Sequence, residues 1–556
     1  MTELQLQFAG LLTSDSLWLI FSLSLVLLWA AYAEIHYRLP GIPSRLYKKE
    51  PEIVFDLPLR ALQGRDVPLF LFIKDAHQFP VTLSSVIVHI QLKPSGDPLI
   101  HKISLDEQIQ RPFNSHIFYL PEGLFAEAGN YVVAAWLNYE INGEYRDLQQ
   151  DNYPGISDHP FSIFISKTPL PSLPNLHWGD LHTHSNYTDD QIEFGAPLRE
   201  SVICAQAIGL HFLGITDHSY DLDDCRENYL KNDPALPKWQ ALLQETAELN
   251  AEFPDFALLA GEEVSVGNAR NQNVHCLVLG NHRFYPGSGD SGERGLFSRP
   301  TMSLDTLFEK TDAAAEDTII AAAHPFDEPP GAHQLILNRG FWHEPDLKHP
   351  ALDYWQILNG RVDRFFETGR NAWITALLNR QQIGILGGTD AHGNFNCARQ
   401  ITMPFWKMVR IQEQRFGEMW TGVFSDLPLT PKILLEKLRA KCTIISNGPA
   451  ASLQIMQSGR ETNIGGSIRA NQPLTLIIRA ASSHEFGYLE SVTLFIGTYG
   501  DQKEALRRIK LADDCLELKR DIEFEGGLEH GYLRLEVYTE KGSGNKLCYT
   551  NPIWIT

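Results

Sequence analysis

The spacing of apolar positions changes character several times along the chain. Residues 16–33 form an uncharged run of 18 residues dominated by Leu, Ile, Val, Phe and Trp, with Asp15 before it and Glu34 after it. A helix of that length just spans the hydrocarbon core of a bilayer. Trp18, Trp29 and Tyr32 sit near its ends, as interfacial anchors do. The leading expectation is a single-pass N-terminal anchor. A cleaved signal peptide is an alternative, because Ala31-Tyr32-Ala33 has the small-x-small form of a cleavage site, although no Lys or Arg precedes the run. A buried core helix is the third reading. Arg38, Arg45, Lys48 and Lys49 follow the run. The positive-inside rule therefore puts the bulk of the chain in the cytoplasm; a signal peptide would put it in the periplasm or outside the cell.

After a Pro-containing basic linker, which closes a first segment at residues 1–50, the pattern turns to short alternating runs such as Val67–Ile73, Ser85–Leu92 and Tyr131–Leu137. Period-two alternation broken by turn residues predicts an antiparallel β-sandwich over 51–170. Thr168-Pro-Leu-Pro-Ser-Leu-Pro174 is a stiff boundary. From 171 to 428, short apolar runs alternate with helical stretches at Pro197–Ile208, Pro237–Glu252, Ser303–Thr311 and Asn371–Arg380. Such alternation predicts β/α units around a parallel sheet. The last segment, 429–556, opens with a helix at Pro431–Ala440. It then returns to strand patterns, which predicts a second β-sandwich-like domain.

Composition changes this picture little. Hydrophobic residues make up 43% and charged residues 21% of the chain, as in an ordinary globular protein. The formal net charge of −21 repels phosphate backbones, so no nucleic-acid partner is expected. The seven cysteines include no C-x-x-C pair, which argues against a disulfide framework or a zinc knuckle.

The chemistry concentrates in the central segment. Gly179-Asp-Leu-His-Thr-His carries His182 and His184. Gly214-Ile-Thr-Asp-His carries Asp217 and His218. Gly261-Glu-Glu carries Glu262 and Glu263. His275 opens an apolar run, His324 closes one before Pro325, and Gly387-Gly-Thr-Asp-Ala-His carries Asp390 and His392. Residues i and i+2 of a strand share a face, so His182 with His184, and Asp390 with His392, can each chelate one ion. Each of these residues lies at a strand's C-terminal end, where β/α barrels place their sites, except His275, which begins its run. Imidazole and carboxylate together suit Zn, Mn or Fe. Any one histidine beside an apolar run is ordinarily a satisfied core or rim residue; it is the ordered set that points to metal. The remaining histidines lack such context.

These motifs, H-x-H, T-D-H, a Glu/His segment with H-P, and D-x-H, resemble those of the PHP (polymerase and histidinol phosphatase) superfamily. The pattern is most similar to the CehA/McbA-like branch. The resemblance covers about 175–395, and extends more loosely to Ser446-Asn-Gly-Pro and Tyr549-Thr-Asn-Pro-Ile-Trp. It implies a distorted (β/α)7 barrel that holds two or three divalent ions. It also implies a nine-residue ligand set: His182, His184, Asp189, His218, Glu263, His275, His324, Asp390 and His392. Asp189 falls where the family has an S-D-G turn, and here the turn reads Thr188-Asp189-Asp190.

The expected activity is hydrolysis of a small-molecule ester by a metal-bound hydroxide, with Glu263 bridging two ions and Asp217 orienting an imidazole. A phosphoester is the family's default substrate. A carboxylic or carbamate ester is the alternative within the same chemistry, and a non-catalytic, membrane-anchored binding protein is the alternative outside it. Asn359, Arg361 and Arg399 are the candidate substrate-binding residues, the two arginines as phosphate clamps. No Ser or Cys stands in a recognisable nucleophile motif.

Overall fold

The computed structural model describes residues 18, 22, 23, 50–93, 97–152, 159–188, 195–226, 228–291, 294–295, 297–314, 317–396, 398–401, 408–411, 413–540 and 546–556. Among them, no helix is long and apolar enough to cross a membrane. The expected span at 16–33 lies outside the described residues apart from Trp18, Ser22 and Leu23, which are helical and exposed. The remainder is a mixed α/β protein made mostly of strands, in sandwich-like layers at both ends.

In the N-terminal unit, strands Glu52–Asp56, Val67–Lys74 and Phe113–Leu120 form one sheet. Arg60–Leu62, Phe161–Ser166, Gly129–Ile141, Val81–Leu92 and Leu99–Ile109 lie in that order in a second. Their inward apolar residues share one core. The alternation in Val81–Leu92 changes phase partway, with Val81 and Leu83 buried and then Val86, Val88 and Ile90. A bulge between Leu83 and Ser85 is the cause; one extra residue moves the following side chains to the opposite face.

Seven strands form the centre, hydrogen-bonded in chain order: Leu176–His184, Phe212–Ile215, Ala257–Gly267, Asn273–Leu279, Ile319–Ala322, Tyr354–Asn359 and Gly384–Gly388. Helices Leu198–Ile208, Pro237–Glu252, Leu304–Ala314 and Arg364–Leu378 fall between them, close to the stretches that periodicity picks out. The sheet departs from uniform β/α alternation at one place. Asn273–Leu279 runs antiparallel to both neighbours. Beyond the seventh strand, Ala391–His392 pairs in parallel with the first, Thr183 opposite Ala391 and His184 opposite His392. The two ends of the row thus meet.

Trp420–Phe424 adds antiparallel to Leu176–Gly179 and carries the same sheet onward through Thr443–Ser446, Lys546–Thr550, Gly531–Glu540 and Tyr488–Thr498. A four-stranded sheet, Arg460–Asn463, Ala450–Gln457, Leu474–Ala481 and Glu517–Phe524, packs against it through Leu453, Leu476, Ile478, Leu494, Leu533 and Leu535. The C-terminal β unit is therefore sandwich-like, and one of its layers continues the central sheet.

The N-terminal unit grips the loop that follows His392. Fully buried Asp56 accepts hydrogen bonds from the amides of Asn396 (2.9 Å) and Phe395 (3.2 Å). Asn396 in turn bonds the backbone of Ser162, and Phe395 packs on Phe70 with ring centroids 5.0 Å apart. Asp56→Ala would leave three amides, those of Leu57, Phe395 and Asn396, without their acceptor, a loss of roughly 2–4 kcal/mol. A clear drop in the thermal unfolding midpoint is the expected result; an unchanged midpoint would mean the clamp contributes nothing.

Candidate metal centre

Strand geometry assembles the first half of the site. His182 and His184 share a face at the end of the first strand, with their Nε2 atoms 3.3 Å apart. Asp390 Oδ1 lies 3.3 Å from His182 Nε2 and 3.2 Å from His184 Nε2, and the His392 ring stacks on His184 at 3.9 Å. This convergence needs Gly388. A Cβ there would lie 2.9 Å from His182 Cβ and 3.0 Å from Asp180 Oδ1, so any side chain would push the seventh strand off the first. Asp180 locks the closure by accepting from the amides of His182 and Thr389, both at 3.1 Å, and from the Thr389 hydroxyl. Burial pushes the Asp180 pKa up to about 7.

Glu263 is the hub of the second half. Its Oε1 lies 2.8 Å from His275 Nδ1, 3.2 Å from His324 Nε2 and 3.5 Å from His182 Nε2. Its Oε2 lies 3.0 Å from His218 Nδ1 and 3.5 Å from His184 Nε2. The reversed direction of Asn273–Leu279 explains why His275 begins its run yet reaches the others: the start of an antiparallel strand lies at the same end of the sheet as the finish of a parallel one. Glu263 is not at a strand end. Its strand continues to Gly267 as a hairpin with the His275 strand. His324 (φ 31°) and Asp390 (φ 56°) adopt left-handed backbone, the kind of local strain that gathers at functional sites.

Only some of these close approaches are hydrogen bonds, among them His324 Nε2 with Glu263 Oε1. Glu263 Oε2, His184 Nδ1, His218 Nδ1 and His275 Nδ1 are buried and make no hydrogen bond. Four orphaned polar atoms in one buried cluster are costly, and divalent cations would offset that cost. Three overlapping donor sets lie close enough to hold ions: His182, His184, Glu263 and Asp390; His218, Glu263 and His275; and His184, His218 and His392. The mixed imidazole–carboxylate chemistry fits Zn, Mn or Fe.

The electrostatics agree in part with that fit. Burial raises the Glu263 pKa, but His275 and His182 outweigh it and hold the carboxyl well below its ordinary range. Asp390 behaves alike, with His182 and His184 opposing burial. Burial pulls His218 down to about 4. Burial and the neighbouring imidazoles of His392 and His218 hold His184 well below its usual value. His182 runs the other way: burial lowers it, yet Asp390 and Glu263 carry it up to about 10.

Residues without a spacing signature hold the imidazoles in place. Gln356 Oε1 meets His182 Nδ1 at 2.8 Å, and Gln356 Nε2 donates to Asn359. Asp290 contacts His275 Nε2 at 3.2 Å and also binds Ser265 and Arg339. A Gln inside the apolar strand Tyr354–Asn359 is a signal that sequence reading can use; Asp290 and Arg339 sit in loops that offer none. Asp217 does not orient an imidazole as expected. Its carboxylate accepts from the amides and hydroxyls of Ser185 and Thr188, so it shapes the turn after His184. Asn359 sits one hydrogen bond away from the residue that holds His182. Arg361 is paired with Asp363 (2.8 Å) and Glu413 (2.6 Å), which occupies the expected phosphate clamp. Asp189 and the Arg399 side chain lie outside the described residues.

No protein-family model and no curated protein matches the chain. Solved structures similar to it include trypsin-activated alpha-2-macroglobulin from Escherichia coli, at 9% identity over 93% of this chain and 25% of that one, with a TM-score of 0.15. A cycloisomaltooligosaccharide glucanotransferase from Paenibacillus sp. is similar at 9% identity over 91% of this chain and 71% of that one, with a TM-score of 0.18. A β-glucuronidase 2 from Bacteroides uniformis is similar at 11% identity over 91% and 61%, with a TM-score of 0.18. The chain thus spans a quarter of the macroglobulin's length. Likenesses this slight carry no argument about fold or chemistry.

The raised His182 pKa gives a pH dependence with a definite sign. Below about pH 10, His182 in the metal-free protein carries a proton that a cation must displace. Metal affinity should therefore keep rising from pH 6 to 9, and calorimetry in buffers of differing ionisation enthalpy should detect proton release at pH 7. Affinity that levels off above pH 7 without proton release would contradict the assignment.

Proposed function

We propose that the chain is a metal-dependent hydrolase of PHP type, close to the CehA/McbA-like branch, that cleaves a small-molecule phosphoester. The seven central strands, with their ends joined through Ala391–His392, are read as its distorted (β/α)7 barrel, and the apolar run at 16–33 as a membrane anchor. The observation that carries the reading is a buried carboxylate, Glu263, within 3.5 Å of five imidazole nitrogens in a cluster of orphaned donor atoms.

His182, His184, Glu263, Asp390, His218, His275 and His392 would hold two or three divalent ions, with His324 at the rim. Cations held there acidify water and draw electron density from the group under attack. His324 keeps 20% of its side chain exposed while Glu263 keeps 1%, so the centre is closed beneath and open at one side, as a catalytic site requires. The two hydroxyls that flank Asp217-His218, those of Thr216 and Ser219, are both engaged. Ser219 donates to Glu262 (2.8 Å) and to the Glu263 carbonyl (3.3 Å), and Thr216 donates to the Thr183 carbonyl. This favours direct attack by water over a covalent enzyme intermediate.

Adjacent glutamates provide the test. Glu262 lies off the cluster, accepts from Ser219, Asn281 and the Tyr285 amide, and is pushed by burial up to about 8. Near neutrality it is already largely uncharged. Glu262→Gln should therefore keep metal content and turnover close to wild type. Glu263→Gln removes the charge between the imidazoles and should lower turnover on a phosphoester panel by roughly 100-fold or more, with loss of metal. Full turnover in the Glu263→Gln protein would reject the reading.

A further inference from the structure

We infer that Arg339 receives the anionic oxygens of the substrate, which makes the bond that is cleaved a phosphoester and not a neutral carboxylic or carbamate ester. The inference rests on the metal centre of the proposed function and adds the residue that selects the substrate class.

Arg339 lies in the loop before the Gln356 strand, yet its backbone is drawn in beside the His275 strand. A parallel bridge joins it to Asn273, and the Gly340 amide donates to the Asn273 carbonyl. Its Nε pairs with Asp290, a carboxylate with no exposed side-chain surface, and Asp290 also contacts His275 Nε2. One buried carboxylate thus fixes both a donor of the metal cluster and one edge of a guanidinium. The Nε contact with Asp290 is an ion pair and not a hydrogen bond, the two η nitrogens of Arg339 make no hydrogen bond among the described residues, and the side chain is 22% exposed. Its charge interacts with Glu263, Asp390 and Tyr220, and Tyr220 stacks on His218 with centroids 4.6 Å apart. The guanidinium therefore lies within electrostatic reach of the cluster.

A guanidinium ion-paired at its Nε edge presents its η N–H groups as a planar fork, which matches two oxygens of one oxyanion. A phosphoester supplies such a pair, with charge, at the reacting atom. A neutral ester supplies one uncharged carbonyl oxygen there and leaves the fork unfilled. Arg361, the arginine that sequence position favours, has both ends committed to Asp363 and Glu413.

The test is equilibrium binding of inorganic phosphate to the metal-loaded full chain by calorimetry, with metal content measured on the same samples. Arg339→Gln should weaken phosphate binding by roughly 10- to 100-fold at wild-type metal content. Arg339→Lys, which keeps a charge beside Asp290 but lacks the fork, should lie between the two. Where Arg339→Gln disturbs metal loading, the Lys variant decides: weakened phosphate binding at full metal content upholds the inference, and wild-type binding overturns it. Wild-type affinity in the Gln variant overturns it directly. A wild-type protein that holds metal but binds no phosphate overturns it too, along with the phosphoester reading. Phosphate bound through Arg339 with no ester cleaved upholds the inference and overturns only the hydrolase reading.

Discussion

The structure depends on one electrostatic constraint: a buried carboxylate, Glu263, surrounded by imidazole nitrogens, most of which approach it without hydrogen-bonding it. Burying a charge this deeply is costly unless it is compensated. Much of the central architecture serves to bring the compensating groups in. The His275 strand reverses direction to deliver its first residues to the same end of the sheet as the last residues of its neighbours. Gly388 removes the one side chain that would keep the seventh strand from the first, and Asp180 stitches the two together. Asp390 and His324 accept unusual backbone angles to turn their side chains inward.

The flanking β units serve the same end. Asp56 of the N-terminal unit holds the loop after His392. From the C-terminal unit, Asn551 donates to the Ile385 carbonyl and accepts from the Ile385 amide, bracing the strand that leads to Gly388 and Asp390. This gives the Tyr549-Thr-Asn-Pro stretch a physical role. The Asn-Gly-Pro turn at 447–449 supports it from below: Ser446 and Asn447 bond the backbone of Leu547 and fix the register of the strand that ends just before Asn551. The three parts of the chain therefore converge on the segment from Ile385 to Asn396, which carries Asp390.

What was legible in the sequence follows from periodicity. Helices Pro237–Glu252 and Leu198–Ile208 were readable to within a residue, because a 3.6-residue stripe facing a sheet leaves an unmistakable mark. The pairs His182/His184 and Asp390/His392 were readable because side chains two apart on a strand share a face. Strand direction was not: an apolar run reads the same either way, so the reversal at Asn273–Leu279 showed only as a histidine at the wrong end. The groups that position the imidazoles were largely invisible. Asp290 and Arg339 reach the site from long loops whose path is set by tertiary contacts. Asp217 departs from its expected role because adjacency to His218 in sequence does not imply contact between side chains: neighbours on an extended chain point apart, and Asp217 turns to Ser185 and Thr188.

The central claim is that cations, not protons, balance this buried charge. The most direct measurement is elemental analysis of the purified full chain, combined with anomalous diffraction at the metal edges. The account predicts at least two divalent ions per chain, with Glu263 between them and His182, His184 and Asp390 on one side. A chain that binds no divalent ion, even after incubation with Zn, Mn and Fe, would contradict it.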